Sequence, residues 1–407
     1  MSPPRVSLAR YAIVAGSYCT FTVTDGALRM LVLLHFHALG YTPTQLALLF
    51  VLYEFFGIVV NLVGGYVGTR WGLTVTLVGG IVGQIAALLM LCALSSAWPV
   101  TMQVGYVMVS QGLSGIAKDL TKTSSKSAIK LVAPDDGGTL FRWVALVTGS
   151  KNAAKGFGFF VGGALLAGVG FVPALLWMAA GLAVVLVATR LALPWDLGRA
   201  PAQLRFADIV SKSRAINVLS AARLFLFGAR DVWFVVALPV FLHERFQWGF
   251  SDVAAAMAVW VIGYGAVQAA TPKLLRHGPD DDEAVVARRW GAGLTMVPAV
   301  MVALLLAGYG SLAVVLGGLA VFGVVFAVNS AVHSYLILRY TDRAHATANV
   351  GFYYMANAAG RLLGTLLSGL LYHQVGFVGC LAGTALMLAA STALSSRLPS
   401  TVDFARA

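Results

Sequence analysis

The stretch Thr42-Pro43-Thr44-Gln45-Leu46-Ala47-Leu48-Leu49-Phe50-Val51-Leu52-Tyr53-Glu54-Phe55-Phe56-Gly57 decides the fold class. Threonine followed three residues later by glutamine, with proline at the first helical position, is a helix start. The apolar run behind it reaches Thr69, with Glu54 as its one ionisable residue. A run of about 20 apolar residues crosses a bilayer. A lone carboxylate inside such a run is costly, and so marks a functional site.

The rest of the chain repeats this pattern. Of 407 residues, 59% are hydrophobic and 11% charged. Soluble domains are about 45–50% apolar and about 25% charged. So little charge cannot cover a water-facing surface, which excludes a cytosolic enzyme, a disordered chain and a coiled coil. Apolar runs fall near Tyr11–Leu39, Thr44–Thr69, Leu73–Leu94, Val100–Leu120, Leu140–Gly168, Val172–Leu193, Ile216–Leu242, Ser251–Leu275, Val285–Ala307, Ser311–Leu338, Ala346–Tyr372 and Val375–Leu398. The expected fold is therefore an all-α membrane protein of twelve transmembrane helices. The stretch after the short basic N-terminus is too long for a signal-peptide core and lacks a small-residue cleavage site, which makes it a retained first span. Close helix contacts are expected at Gly64/Gly68, Gly79/Gly83, Gly158/Gly162 and Gly360/Gly364.

The charges give an orientation. Connections after odd-numbered runs carry almost no Lys or Arg. Those after even-numbered runs carry Arg70, Lys126, Lys130, Arg199, Arg205, Lys212, Arg214, Arg276, Arg288, Arg339 and Arg343. The positive-inside rule puts both termini in the cytoplasm. It also accounts for most of the net charge of +12, so no nucleic-acid partner is implied. The basic connection from Pro194 to Ala215 divides the chain into halves: residues 1–193 and 216–407 as two six-helix bundles, with 194–215 as the central loop. Gly40-Tyr41-Thr42 and Gly249-Phe250-Ser251 echo each other across them. Secondary transporters are built this way, with the substrate between the halves.

The ionisable residues that stand out in these runs, with Lys118 and Lys122 at the inner end of the fourth, are eight cations against four anions: Arg29, Lys118, Lys122, Lys151, Lys155, Arg223, Arg230 and Arg361 against Asp25, Glu54, Asp119 and Asp231. Asp25 and Arg29 are four apart on one helix face and can pair. Lys151 and Lys155 share a face and repel unless an anion lies between them, or unless Asp25, Glu54 or Asp231 neutralises them. Lys118, Lys122, Lys126 and Lys130 form a stripe reaching the inner edge, where the last two double as juxtamembrane charge. Arg223, near that edge, is expected to snorkel. Four cations then remain in excess, and arginine forks with lysine point charges suit an oxyanion of more than one charge. The expected substrate-binding residues are Arg29, Lys118, Lys122, Lys151, Lys155, Arg230, Tyr353, Asn357 and Arg361. Asp25, Glu54 and Asp231 serve as ion-pair or proton-coupling groups, Glu54 foremost because desolvation favours its protonated form. Asn329, His333 and Tyr354 either complete the site or bond neighbouring helices. No metal, cofactor or catalytic constellation is indicated. Cys19, Cys92 and Cys380 are scattered in apolar runs, His35 and His37 do not share a face, and the acidic run Asp280 to Glu283 is a solvated loop.

Twelve spans, two halves and a basic central loop resemble the major facilitator superfamily. Its loop signature after span two, a glycine, then Asp-Arg, then Gly-Arg-Arg, is matched in part by Gly65-Tyr-Val-Gly-Thr69-Arg70-Trp-Gly72-Leu73. Gly158-Phe159-Phe160-Val161-Gly162-Gly163 is similar to the antiporter glycine motif, with Phe159 in place of its proline. A closer resemblance is to the ArsJ organoarsenical efflux permeases. It is carried by Thr24-Asp-Gly-Ala-Leu-Arg-Met-Leu-Val, His35-Phe-His37, Tyr53-Glu-Phe-Phe-Gly, Asn61-Leu-Val-Gly-Gly, Gly115-Ile-Ala-Lys-Asp-Leu, Lys126-Ser-Ala-Ile-Lys130 and Gly149-Ser-Lys-Asn-Ala-Ala-Lys-Gly. The resemblance implies export of 1-arseno-3-phosphoglycerate across the inner membrane, arsenate resistance, and a functional pairing with glyceraldehyde-3-phosphate dehydrogenase, which makes that compound from arsenate. The partners expected are thus a polyanionic small molecule and the lipid bilayer. A transporter of another organic phosphate or carboxylate fits the same residues.

Overall fold

The computed structural model describes residues 8–132, 137–195, 197, 213–275, 282–341 and 346–400, and all regular structure among them is helical. The elements are α1 (Leu8–Ala38), α2 (Pro43–Leu49), α3 (Val51–Trp71), α4 (Leu73–Cys92), α5 (Val100–Val132), α6 (Gly137–Val169) and α7 (Phe171–Ala192). They continue with α8 (Arg214–Phe234), α9 (Ala237–Phe246), α10 (Phe250–Leu274), α11 (Glu283–Leu306), α12 (Ser311–Arg339) and α13 (Ala346–Ser395). Ten segments of the described residues are long and apolar enough to cross a membrane. The protein is a helical, multi-pass membrane protein.

The boundaries depart from the apolar runs in three informative places. The run Thr44–Thr69 is two helices. Thr42 caps α2 as expected: its side chain accepts from the Gln45 N–H, and Gln45 reaches back to the Thr42 N–H. The helix stops at Phe50 (φ −102°, ψ 0°) before α3 resumes. The run Ile216–Leu242 likewise breaks after Phe234. There the Val236 and Ala237 N–H groups both donate to Ser368 Oγ on α13, at 3.3 and 3.1 Å. The last two runs lie in one α13, bent where Gly376 adopts φ 75°, ψ −166°, a conformation open to glycine alone. α5 is not among the ten apolar segments. Its Gln103, Ser110, Gln111, Ser114 and Asp119 are buried, so this helix turns its polar face to protein.

Ser368 carries a testable consequence. Ser368→Ala strands two buried N–H groups, each worth about 1–3 kcal/mol when unpaired. Unfolding in detergent is expected to show at least about 1 kcal/mol of lost stability. An unchanged transition would mean that the break in α8–α9 is satisfied otherwise.

Glycine sets the seams that hold the charged residues in register. α1 packs on α6, and α8 on α13. A Cβ at Gly158 would strike the Val23 carbonyl, and one at Gly162 the Ala27 carbonyl. On the second seam Gly360 abuts the Leu224 carbonyl and Gly364 the Gly228 carbonyl. Both expected pairs therefore make backbone contact. Gly79/Gly83 does not: Gly79 faces open space, and Gly80 takes its place against Ala117 and Thr121 of α5. Helix rotation, which one glycine spacing leaves open, decides this. The side chains of residues 64–70, with Gly64/Gly68 and most of the loop signature, lie outside the described residues, as do those of Lys126 and Lys130. The two halves of the sequence meet where α6 lies against α10, and where α2 and α3 lie against α13.

Candidate functional site

Glu54 stands at the centre of the charged residues. It comes one turn after the Phe50 break, and Asp231 comes one turn before the Val235 break. Both carboxylates thus sit beside interrupted helices, where freed backbone polarity tolerates charge. Glu54 is fully buried. Its Oε1 accepts from Arg29 Nη1 of α1 at 2.9 Å and from Arg361 Nη2 of α13 at 2.6 Å. Arg361 Nε also faces Asp231 Oδ2 at 3.6 Å. Asp231 Oδ1 takes Arg230 Nη2 at 2.6 Å. One chain of ion pairs, Arg29–Glu54–Arg361–Asp231–Arg230, therefore links helices from both halves of the sequence.

Two side groups flank this chain. Asp25 accepts the Tyr53 hydroxyl at 2.7 Å and 3.0 Å, one contact per oxygen. Asp119 Oδ1 takes Lys122 Nζ at 2.9 Å, and its Oδ2 faces Lys118 Nζ at 3.5 Å. Lys122 also donates to Asn61 Oδ1 at 2.7 Å. Lys118 lies over the Tyr53 ring, 3.9 Å from its centroid, a favourable desolvated contact.

Lys155 differs from all of these. It enters from α6 beside Asp25, its backbone carbonyl lying against Gly26. Yet among the described residues no carboxylate comes within ion-pair distance of its ammonium. Its recorded contact is the Phe159 ring, 5.7 Å away. The cluster therefore holds six cations, Arg29, Lys118, Lys122, Lys155, Arg230 and Arg361, against four carboxylates, Asp25, Glu54, Asp119 and Asp231.

Several expectations are corrected. Asp25 does not pair with Arg29: the α1 face turns Arg29 onto Glu54 and leaves Asp25 to Tyr53. Glu54 meets both Arg29 and Arg361, in keeping with the ion-pair role expected of it. Lys151 does not join Lys155. It lines a small cleft with Tyr18, Cys19, Thr22 and Ser125, displaced along α6 toward the termini. Tyr353 turns to Arg223, with 5.0 Å from guanidinium to ring centroid, rather than to the Glu54 cluster. Asn357 stays one turn from Arg361, with its Oδ1 unpartnered.

Tyr53, Phe50 and Asn61 were missed as contributors. The Arg29 guanidinium lies 5.0 Å from the Phe50 ring centroid. Tyr53, next to Glu54 in sequence, carried the one signal that could have found it. A further contact between the sequence halves was not legible: Asn152 Nδ2 of α6 donates to Gln268 Oε1 of α10 at 3.1 Å. At the end of the bundle away from the termini, His37 Nε2 faces Glu244 Oε1 at 3.9 Å. There the Tyr372 hydroxyl donates to Glu244 at 2.9 Å, and Thr44 meets His373 at 3.0 Å. These contacts close that end.

Comparison with known proteins agrees with this architecture. A bacterial homologue of the iron transporter ferroportin, solved facing inward, superposes with a TM-score of 0.71 at 15% identity, covering 97% of this chain and 100% of that one. Its outward-facing form gives 0.67 at 13% identity, covering 98% and 100%. The nucleoside transporter NupG, in a mutant form, gives 0.72 at 15% identity, covering 96% and 98%. At such identities the likeness concerns fold alone. A search of curated proteins finds no match. The family model described as Major Facilitator Superfamily matches residues 13–281. Those residues make up well over half of the chain, so the protein belongs to the Major Facilitator Superfamily and is a secondary transporter, not an enzyme.

Proposed function

We propose that the protein exports an organic anion with two separated charges, and that this substrate is the phosphorylated organoarsenical 1-arseno-3-phosphoglycerate. The observation that carries the anion assignment is the cluster around Glu54: six cations to four carboxylates, with Lys155 lacking a carboxylate partner. A dianion entering between Lys155, Arg29 and Arg361 competes with Glu54 for the two guanidiniums. Guanidinium forks match the oxygens of phosphate and of its arsenic analogue. Loosening the Glu54 bridge releases the tie from α1 and α3 to α13, so the halves 1–193 and 216–407 rock about the site.

Residue order supports the arsenical assignment through the resemblance in the first half of the chain. The cluster's cations suit an oxyanion, and Cys19, Cys92 and Cys380, the thiols that arsenite would seek, are not part of it. In this scheme the protein lies in the inner membrane with both termini cytoplasmic, and glyceraldehyde-3-phosphate dehydrogenase supplies the substrate.

The test is arsenate survival of a sensitive host expressing the chain, with and without that dehydrogenase, beside an arsenite challenge. Protection against arsenate alone, requiring both proteins, is the expected result. Normal membrane expression without protection would exclude the arsenical and leave another organic phosphate or carboxylate as cargo.

A further inference from the structure

Arg223 is not at the membrane edge, contrary to expectation. It is 3% exposed. Its guanidinium lies 4.0 Å from the Phe227 ring centroid and 5.0 Å from that of Tyr353. Nη1 donates to the Ser330 carbonyl of α12 at 2.9 Å, and Nε has no partner. Among the described residues no carboxylate lies within ion-pair distance.

Its surroundings are equally unsatisfied. His333 is fully buried, with both ring nitrogens unpartnered. Asn329, 1% exposed, leaves its Oδ1 unpartnered, and the hydroxyl of the fully buried Tyr353 lies beside the Ser334 side chain. Asn329 and His333 are one turn apart on α12 and bracket Ser330, the residue that Arg223 reaches. Tyr353 enters from α13. Native interiors pair nearly all buried polar groups, so unpartnered atoms on Arg223 and on the α12 residues Asn329 and His333 flanking its Ser330 contact call for a cause. A buried, unneutralised guanidinium is costly. Each of Arg223, Tyr353, His333 and Asn329 can donate: guanidinium N–H, phenol O–H, imidazole N–H, and the amide NH2 once the Asn329 side chain is turned.

We propose that Arg223, Asn329, His333 and Tyr353 form a second anion site, distinct from the Glu54 cluster, that takes a small inorganic anion of chloride size. The two sites share a wall: the Phe227 ring lies 4.0 Å from the Arg223 guanidinium and 4.9 Å from that of Arg230. Tyr353 and Arg361 are two turns apart on α13, roughly 12 Å at about 1.5 Å per residue. Two aromatic faces close on Arg223, which excludes an organic dianion but admits a monatomic ion. The ion neutralises Arg223 and joins α8, α12 and α13, so it acts as a structural and conformational cofactor rather than as cargo.

Full-length protein in detergent tests this, with sodium chloride replacing sodium gluconate at constant ionic strength. Chloride is expected to raise the thermal unfolding temperature saturably, because a ligand bound only by the folded state stabilises it. The rise should vanish in Arg223→Gln and persist in Lys155→Ala. Should Arg223→Gln fail to accumulate, His333→Ala is expected to weaken the chloride response at least tenfold in midpoint. A wild-type protein with no saturable response to chloride or bromide would overturn the proposal. So would a response lost in Lys155→Ala but kept in Arg223→Gln, which would move the ion to the Glu54 cluster.

Discussion

Lys155→Ala is expected to abolish transport while leaving the protein in the membrane at wild-type level. Among the described residues Lys155 has no carboxylate partner to strand, so its removal should cost little folding energy. What it removes is positive charge available to a bound anion. Truncating one member of a desolvated charge pair costs about 2–5 kcal/mol of binding, which is roughly 30- to 5,000-fold in affinity. Lys155→Arg should recover part of this. Lys151→Ala supplies the contrast. Its side chain lies in the cleft beside Tyr18 and Thr22, so transport should fall less than about threefold, as for a charge outside the binding contact. Vesicle transport with quantified protein checks both. Equal loss in the two variants would mean that the lysines act together, as their spacing alone suggests.

Glu54→Gln is expected to have the second large effect, and on stability first. Glu54 Oε1 is shared by Arg29 and Arg361 at 2.9 and 2.6 Å. An amide leaves two buried guanidiniums facing each other across it. Removing one partner of a buried ion pair destabilises by about 3–5 kcal/mol. The tie is also between the sequence halves, so the variant should favour separated conformations and lose obligatory coupling of substrate binding to the conformational change. A double-mutant cycle of Glu54→Gln with Arg361→Gln, read by unfolding in detergent, should return a coupling energy above about 1 kcal/mol. Additive effects would show that the bridge contributes nothing to holding the halves. Single-variant stability close to wild type would show that Glu54 is not the hub of the cluster.

Much of this was legible in the sequence, and the limits have physical causes. The capping box at Thr42 and the glycine pairs of the α1–α6 and α8–α13 seams are local patterns, and local patterns survive into the fold. Charges inside apolar runs could be recognised as misplaced for the same reason. Partner choice could not. Asp25 and Arg29 share a face, yet the rotation of α1 against α3 gives Arg29 to Glu54. The break at Phe50 carries no glycine or proline, whereas at Val235 it is Pro239, four residues on, that cannot bond the Val235 carbonyl, and Ser368 takes up the freed N–H groups. Arg223 is a few turns from a basic loop, which suggested a snorkelling side chain. Its burial depends on Phe227, one turn on in the same helix, and on Tyr353, which arrives from α13 far along the chain.

The central claim is that the Glu54 cluster binds a dianion. Its most direct test is binding to purified protein in lipid nanodiscs, titrated with 3-phosphoglycerate as a stable probe bearing a carboxylate at one end and a phosphate at the other. Inorganic phosphate, a neutral nucleoside and ferrous iron would be run alongside. Saturable binding of the organophosphate, weakened at least about 30-fold in Lys155→Ala as loss of a buried charge contact requires, is the predicted result. Binding of the nucleoside or the metal ion, with no response to any organic dianion, would contradict it.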